Sequence, residues 1–452
     1  MLNKESKQTK GIAVGLMVVG ILVLMIMAIL VSNVVSENLK IPWLSLFTPD
    51  EDLSTIKDEV EEVKRIPFKG DKIEPKLINT ENDFGFKLFK SLLNKNNKQN
   101  VVISPTSIKL AFSMALNGAE GNTKNEMVEV LEYAGLSIDE INNNNSNLMN
   151  LLQATDKDIE LHIANSIWTK RGYNFKHDFL NTNQTYYSAE VTSLDFASPE
   201  AISQINGWVS KNTKGKIPTI INNIPQEMIM YLINAVYFKG PWTIEFDENL
   251  TEKDIFYAQN EDVNVYMMRL KDDFKYNSSE EYQVIELPYG KNETFSMQIL
   301  LPREDTDIYE FIEDLDGKKL EIIFSDMTEM EGTIEMPKYT TEYETSLNQV
   351  LMSLGMKDAF NTGTADFSKM IDAGPENVYI SQTKHKTYLE VNEKGTEAAA
   401  VTSIGVGITS VNPVEKSFYM KVDRPFLVTI KENKTNTILF LGLITDPTLQ
   451  VD

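Results

Sequence analysis

The chain has 452 residues, of which 42% are hydrophobic and 24% are charged, and its formal net charge is −23. This composition is typical of a folded protein with a sizeable core. So acidic a chain is poorly suited to bind nucleic acid or anionic lipid, and the absence of cysteine excludes disulfides, thiolate catalysis and thiolate metal sites.

An uncharged run, residues 11–36, follows a ten-residue N-terminus that carries three lysines. Its apolar part, Gly11–Val31, is long enough to cross a hydrocarbon core of about 30 Å as a helix. A signal peptide has a shorter apolar core and ends in small residues, and no clear small-x-small site closes this run. The sequence predicts a transmembrane anchor, with a cleaved signal peptide as the alternative. The anchor would cross the cell membrane once. The positive-inside rule then puts residues 1–10 in the cytoplasm and the large domain outside the cell.

Residues 37–78 have the composition of a stalk or linker. Four prolines punctuate this stretch, namely Pro42, Pro49, Pro67 and Pro75. Between them a short amphipathic helix is indicated by the spacing of Leu53, Ile56, Val60 and Val63. The folded domain is therefore expected to span residues 79–452.

Helical signals dominate the first half of that domain and strand signals the second. A helix is predicted near Phe84–Leu93, and Ser104-Pro105 indicates the N-cap and first position of a buried helix that continues to Leu116. Met230–Phe238 is typical of a strand covered on both faces. Further strand signals at 284–289 with 295–301, at 388–391, and at 426–430 with 438–444 include two hairpins. This mixture indicates an α+β fold.

Recognisable catalytic and metal-binding motifs are absent from the sequence. The three histidines, His162, His177 and His385, form no HExxH motif, and no nucleophile elbow or P-loop occurs. The sequence therefore predicts a binding or inhibitory protein, without enzyme activity, metal or cofactor.

Residues 393–417 are the unusual stretch, because a connection of that length inside a compact domain is usually functional or disordered. From Ala398 to Val411 the loop is small, β-branched and uncharged. One alternating face grows in size without a charge (Thr396, Ala398, Ala400, Thr402, Ile404 and Val406), and the other carries a single acid, Glu397. That pattern predicts a strand with one buried face. We expect residues 396–406 to be stored as an exposed segment outside its sheet; an ordinary edge strand or an inert surface loop is the alternative.

The start of this loop resembles the hinge of inhibitory serpins residue for residue: Glu393, Lys394, Gly395, Thr396, Glu397, Ala398, Ala399 and Ala400. The resemblance runs from about residue 79 to 447. It rests on ordered motifs that include NVVISPTSI at 100–108, NGAEGNT at 117–123, NGWV at 206–209, TKGKI at 213–217, NAVYFKGPW at 234–242, MPK at 336–338, DRPF at 423–426 and FLG at 440–442. It implies a serpin fold, with three β-sheets, about nine helices and an exposed reactive-centre loop, here preceded by one transmembrane helix.

The resemblance also implies a mechanism, in which a serine protease cleaves the loop and is trapped when the loop inserts into the main sheet. Loop insertion of this kind is a general example of β-strand addition and of released strain. Two groups of residues carry over as mechanical parts. The sheet-opening cluster comprises Ser104, Ser107, Asn234 and His385. The group where the loop enters the sheet comprises Trp242, Lys338 and Glu393, of which the last two could pair.

Counting along the family pattern places the reactive bond between Thr409 and Ser410, although the loop is longer than usual and the bond could lie elsewhere in Ile404–Asn412. Ile408 and Thr409, which precede this bond, are not basic, and this favours an elastase-like or subtilisin-like target over a trypsin-like one. The resemblance suggests a monomer. The alternative function is that of a non-inhibitory serpin-fold protein that binds or carries a ligand.

Overall fold

The structure is a computed structural model that describes residues 75–93, 99–154, 156–372, 378–396 and 417–449. The chain divides into two units, Met1–Glu62 and Val63–Asp452, and every described residue belongs to the second. The anchor predicted at 11–36 and most of the predicted stalk lie outside the described residues. Of the helices that are described, none is long and apolar enough to cross a bilayer.

Nine α-helices lie within the described residues. In chain order they are α1 (Pro75–Leu92), α2 (Pro105–Leu116), α3 (Gly121–Val130), α4 (Ile138–Ala154), α5 (His177–Tyr187), α6 (Pro199–Asn212), α7 (Ile308–Glu313), α8 (Gly317–Ser325) and α9 (Asn348–Ser353). Because α1 begins at Pro75, the last four residues of the predicted stalk, 75–78, belong to this helix.

Helix α2 is the buried helix that its all-round apolar sequence predicts, since eleven of its twelve residues are buried. Ser104 occupies the N-cap position and Pro105 the first turn, as expected. The Ser104 hydroxyl, however, makes no capping hydrogen bond. The prediction of the helix start is therefore confirmed, but its capping interaction is wrong.

Fifteen strands are described, and they form two hydrogen-bonded sheets. In chain order they are β1 (Val101–Ile103), β2 (Glu160–Lys170), β3 (Glu190–Leu194), β4 (Met230–Pro241), β5 (Glu252–Tyr257), β6 (Asp262–Ser278), β7 (Tyr282–Tyr289), β8 (Phe295–Pro302), β9 (Thr328–Pro337), β10 (Tyr339–Thr345), β11 (His385–Asn392), β12 (Gly395–Thr396), β13 (Phe418–Lys421), β14 (Phe426–Glu432) and β15 (Ile438–Ile444). The six-stranded sheet has the order β10-β11-β12-β4-β2-β3. The other has the order β1-β15-β14-β8-β7-β6-β9-β13, with β5 also on β6.

The expected count of three sheets becomes two because one long strand joins two of them. Strand β6 has 17 residues. It pairs with β9 along Met267–Tyr276 and with β7 only along Lys275–Ser278. These few residue pairs connect the β5-β6-β9-β13 part to the β7-β8-β14-β15-β1 part.

The hairpins predicted from the sequence are confirmed as β7–β8 and β14–β15. Every residue of β8 and β15 is buried. The continuous apolar sequence of β15 is that of a strand covered on both faces, and β8 is apolar apart from Ser296 and Gln298. These strands contribute to the main hydrophobic core, and α1 and α2 pack against β15.

A buried ion pair joins α1 to α2. Lys109 Nζ lies 3.3 Å from Glu81 Oε1 and 3.2 Å from Thr80 Oγ1, and its side chain and that of Glu81 are only 1% and 3% exposed. The ammonium also lies 4.3 Å from the ring centroid of Tyr133. Burial disfavours both charges, so that the pKa of Glu81 is raised and that of Lys109 is lowered despite their mutual attraction.

Removing one partner of this pair should leave an uncompensated buried charge. We expect Lys109→Met to lower the free energy of unfolding by about 3–5 kcal/mol. The double variant Lys109→Met/Glu81→Leu should recover most of that loss, because a well-packed apolar pair is often as stable as a buried ion pair. Urea unfolding of the two variants measures the difference. Equal free energies of unfolding for the single and the double variant would contradict a buried ion pair between Glu81 and Lys109.

Candidate functional site: a parted sheet and the start of a long loop

The six-stranded sheet is divided in its middle. Strand β4 pairs with β2 over ten residues and β11 pairs with β10 over seven. Between β4 and β11, among the described residues, the only strand is the two-residue β12. The backbone edges of β4 and β11 that face each other therefore pair with β12 at one end, near Gly240 and Val391. Along the rest of their length, these edges pair with no other described strand.

Strand β12 is fixed by backbone pairing on both sides. Thr396 lies opposite Gly240 of β4 and Val391 of β11, and Gly395 lies opposite Pro241 and Asn392. Gly395 has a φ of 143°, and a Cβ built on it would lie 2.1 Å from the carbonyl oxygen of Gly240. Only glycine fits this position, because both the left-handed backbone and the close approach exclude a side chain.

The expectation that residue 396 would lie in an exposed segment is wrong. Thr396 is only 1% exposed, and its hydroxyl lies 2.6 Å from that of Tyr289. The first two residues after Lys394 are therefore already a strand of the sheet. The other predicted hinge residues, Glu397, Ala398, Ala399 and Ala400, and the predicted reactive bond, Thr409–Ser410, lie outside the described residues.

Residues predicted at the point where the loop enters the sheet are in contact. Lys338 Nζ lies 2.9 Å from Glu393 Oε2, and the Thr251 hydroxyl donates to the other carboxylate oxygen at 3.1 Å. Burial opposes ionisation of Glu393, but the hydrogen bond and the charge of Lys338, together with the other hydrogen bonds to the carboxylate, outweigh it, so the pKa of Glu393 lies below the usual range. Sequence reasoning missed Thr251, which belongs to no motif.

Trp242, the third member of this group, holds the backbone just before the hinge. Its Nε1 donates to the carbonyl oxygen of Asn392 at 2.9 Å, and its ring is stacked on that of Tyr289, with centroids 4.5 Å apart. Tyr289 therefore supports both Trp242 and Thr396. Its place at the end of a predicted hairpin strand gave no sign of this role.

The predicted sheet-opening residues lie where α2 passes beneath the divided sheet. Ser107 donates a hydrogen bond to Asn234 Oδ1, and Asn234 Nδ2 donates to Asn165 Oδ1 of β2 at 2.7 Å. The backbone N–H of Ser104 donates to His385 Nε2 at 3.1 Å, whereas the Ser104 hydroxyl is buried without a partner among the described residues. Asn165 was not predicted, although it links Asn234 to the rest of β2.

A cavity of about 510 Å³ extends from this cluster along the gap. Its walls are the first half of β4 (230–234), the segment 378–385 that leads into β11, and one face of α2. The polar groups of Ser107, Asn234 and His385 lie at one end, and the walls include apolar side chains such as those of Phe112 and Leu232. Among the described residues, the lower part of the gap, between the first half of β4 and the segment that leads into β11, is thus a cavity that suits apolar groups.

Burial also sets the ionisation of His385. The ring is 6% exposed, and burial lowers its pKa to about 3. His385 is therefore neutral at ordinary pH, and this agrees with its accepting a hydrogen bond at Nε2.

This depressed pKa gives a testable pH dependence. Below pH about 6.5, His385 of the unfolded chain binds a proton that the folded protein excludes down to about pH 3. Lowering the pH through this window should cost up to about 1.4 kcal/mol per pH unit from this residue. We expect His385→Gln, compared by urea unfolding at pH 7.5 and 5.5, to lose less stability than the wild type, and the exposed-site control His177→Gln to behave as the wild type. If the free energy of unfolding of His385→Gln fell between pH 7.5 and 5.5 as much as that of the wild type, the low pKa of His385 would be contradicted.

Comparisons with known proteins agree with this arrangement. The family model for "Serpin (serine protease inhibitor)" matches residues 79–447. The leukocyte elastase inhibitor of Xenopus laevis is 33% identical over 379 residues, which cover 80% of this chain and 97% of that protein.

This chain is also similar to solved serpin-fold structures. The structure of tengpin, a thermophilic serpin, in its native state matches with a TM-score of 0.76 and 34% sequence identity. The match covers 83% of this chain and 95% of the tengpin chain. Human thyroxine-binding globulin in complex with its ligand has a TM-score of 0.74 at 29% identity, with coverage of 83% and 99%. The chain belongs to the serpin family.

Proposed function

We propose that this protein inhibits a serine-type protease. The protease cleaves the long loop that follows Thr396, and the cleaved loop then inserts between β4 and β11. The observation that carries the proposal is β12. Its two residues occupy the top of a gap whose lower part is an apolar cavity. The family is described as one of serine protease inhibitors, and the Xenopus laevis relative is named as an inhibitor of elastase.

The register of β12 predicts where each later loop residue would pair. Each step along the loop moves one residue back along both β4 and β11, because both pairings are antiparallel. Six residues beyond Thr396, position 402 falls opposite Asn234 and His385, which lie six residues before Gly240 and Val391. Thr402, a polar residue, would thus meet the polar end of the cavity.

The register also predicts which face of the inserted loop would be buried. Directly opposed residues in a sheet share a face, and Thr396 points into the core toward Tyr289. The residues in step with Thr396, up to Val406, would therefore face α2 and the cavity. This is the face that the sequence leaves without a charge.

Insertion of roughly a dozen residues would form about as many new backbone hydrogen bonds. At about 0.5–1.5 kcal/mol each, they contribute on the order of 10 kcal/mol before side-chain packing. In the proposed trap the protease serine Oγ bonds to the carbonyl carbon of Thr409, and the bond to Ser410 breaks, with the proton passing to the new amine. Insertion then carries the acyl-enzyme away before water can hydrolyse it.

The target is proposed from the loop, and the location from the N-terminus. A small, β-branched residue at 409 suits an elastase-like or subtilisin-like pocket.

We propose that residues 11–36 anchor the chain in the cell membrane, with the serpin domain outside and acting as a monomer. The support is the uncharged run with lysines before it and acids after it.

A non-inhibitory binding or carrier protein remains the alternative function. The similarity to thyroxine-binding globulin favours it, because that structure holds a small-molecule ligand. The hinge argues against it, since residues 398–400 are all alanine and carry neither a charge nor a proline that would block strand entry.

We expect the ectodomain to form a covalent adduct with an elastase or a subtilisin. The adduct should survive a denaturing gel, and a protease whose active serine has been blocked should form none. Nicking of the loop should also raise the thermal midpoint, because the inserted strand adds hydrogen bonds to the sheet. Cleavage with neither adduct nor rise in midpoint would overturn the proposal and favour the carrier function.

A single substitution at the top of the gap should turn the inhibitor into a substrate. Thr396 is buried against Tyr289, and an arginine cannot enter that position without a large desolvation cost. We expect Thr396→Arg to be cleaved without forming an adduct, whereas Thr396→Ser, which keeps the hydroxyl, should still form it. The ratio of adduct to cleaved chain on a gel is the measurement, and full adduct formation by Thr396→Arg would count against insertion.

A further inference from the structure

A second cavity, of about 220 Å³, lies outside the gap in the six-stranded sheet. Its walls come from the helices α4, α5 and α6 and from the strands β2 and β3, and neither β4 nor β11 lines it. Water occupies about 30 Å³ per molecule in the liquid, so this volume holds about seven waters. It has room for one compact ligand that displaces them.

Two polar side chains of α4 line this cavity without a hydrogen-bond partner among the described residues. Ser146 is only 7% exposed, and Asn150 lies one turn further along the helix and is half-buried. Native structures satisfy nearly all such buried polar groups with protein, water or ligand. Alanine is a better helix former than either residue and would leave no polar group unsatisfied. The two side chains are therefore suited to bind an occupant of the cavity.

Three further lining residues have an acceptor oxygen that receives no hydrogen bond within the described part of the chain. The amide nitrogens of Asn212 and Gln153 donate to the carbonyl oxygens of Trp208 at 2.9 Å and of Ile163 at 2.8 Å, which leaves each amide oxygen open. Glu190 accepts the indole N–H of Trp208 at 2.8 Å through one carboxylate oxygen. Open acceptors from α4, α6 and β3 thus converge on the same space.

The charge of the lining restricts the chemical class of its occupant. Among the described residues, the lining has one carboxylate, that of Glu190, and no lysine or arginine. An anion such as phosphate would therefore find no cation to pair with. Trp208 and Tyr186 add aromatic surface to the walls, against which an apolar C–H face can pack. A few convergent polar groups beside apolar surface are the usual features of a small-molecule site.

We propose that this cavity binds a neutral polyhydroxyl ligand of monosaccharide size, held by Ser146 and Asn150 of α4 and by Asn212 of α6. The hydroxyl groups of such a ligand can donate to the open amide oxygens, and they can accept from the Ser146 hydroxyl and the Asn150 amide. The ligand would replace the water that otherwise satisfies these groups. This inference does not depend on loop insertion, because its residues lie outside β4, β11 and β12.

The test is a calorimetric titration of the full-length chain with D-glucose and with D-galactose. At least one of the two sugars should bind saturably at one site per chain. Calorimetry is the readout because sugars also stabilise proteins through exclusion from their surface, an effect that does not saturate. If neither sugar binds saturably, the cavity holds only water and the inference is overturned.

Charged probes test the proposed class of ligand. Choline and inorganic phosphate, titrated at the same concentrations, should not bind in the cavity. Glu190→Gln, which keeps an oxygen to accept the indole N–H of Trp208, should leave sugar binding nearly unchanged because the ligand is neutral. Binding of choline that Glu190→Gln abolishes, without binding of either sugar, would overturn the class in favour of a cation.

Substitutions on α4 assign the binding to this cavity. Ser146→Ala and Asn150→Ala remove groups that make no hydrogen bond among the described residues, so neither should lower the urea midpoint of the free protein. Each should weaken sugar binding about two- to tenfold, the contribution of one neutral hydrogen bond. Asn147→Ala is the matched control, since Asn147 is half-buried on the same helix but does not line the cavity. Unchanged binding in the Ser146→Ala/Asn150→Ala double variant, or an equal loss in Asn147→Ala, would overturn the inference.

Discussion

The short ladder that holds Gly395 and Thr396 between β4 and β11 is the constraint on which the rest of the site depends. It keeps the two halves of the sheet apart at one end. It also fixes the register of whatever strand continues below it, because an antiparallel ladder allows no slip without moving every side chain to the other face. The requirement for glycine at 395 follows from the approach of its Cα to the carbonyl oxygen of Gly240.

A divided sheet has two inner edges, and unpaired edges are a liability in any β-protein. Here side chains from elements on both faces contact the edges of the gap. On one face, α6 and the segment after it pack on β2 and β4, with Trp208 edge-on to Trp168 and Lys216 extending to β11. On the other face, α2 brings Ser107 to Asn234. Among the described residues, several hydrogen bonds that cross or border the gap are made by side chains, which can exchange partners more readily than a backbone ladder can.

The fold could be read from the sequence to a large extent, because the signals involved are local. Buried runs and turn residues predicted β4, β11, both hairpins and α2, and the hinge motif identified the loop. Contacts between distant parts of the chain could not be read in this way. Thr251 meets Glu393 and Tyr289 meets Thr396 across more than a hundred residues, and neither belongs to a pattern with a period. The joining of two sheets through β6 was also missed, because it depends on how far one strand extends past its first partner.

The same limit explains the mistaken expectation for Thr396. Alternation along 396–406 predicts a strand with one apolar face, but a period of two residues does not say how many of those residues are paired before cleavage. The ladder shows that pairing begins at Gly395 and includes Thr396. The sequence pattern predicts the kind of element, whereas the residue at which pairing begins could be seen only in the structure.

The sizes of the loop residues follow from this register. Positions 398 and 400 would lie opposite Phe238, which is buried in the core, and Val236, which is packed against it, and the sequence has alanine at both. Positions 404 and 406 would lie opposite Leu232 and Met230, which line the cavity, and there the sequence has isoleucine and valine. A large side chain high in the gap would have to displace packed neighbours, and a small one lower down would leave the cavity unfilled, each at a cost of stability. The increase in size along the loop therefore matches the room that the gap offers, and this match is what one expects of a strand that fits the gap from the top downward.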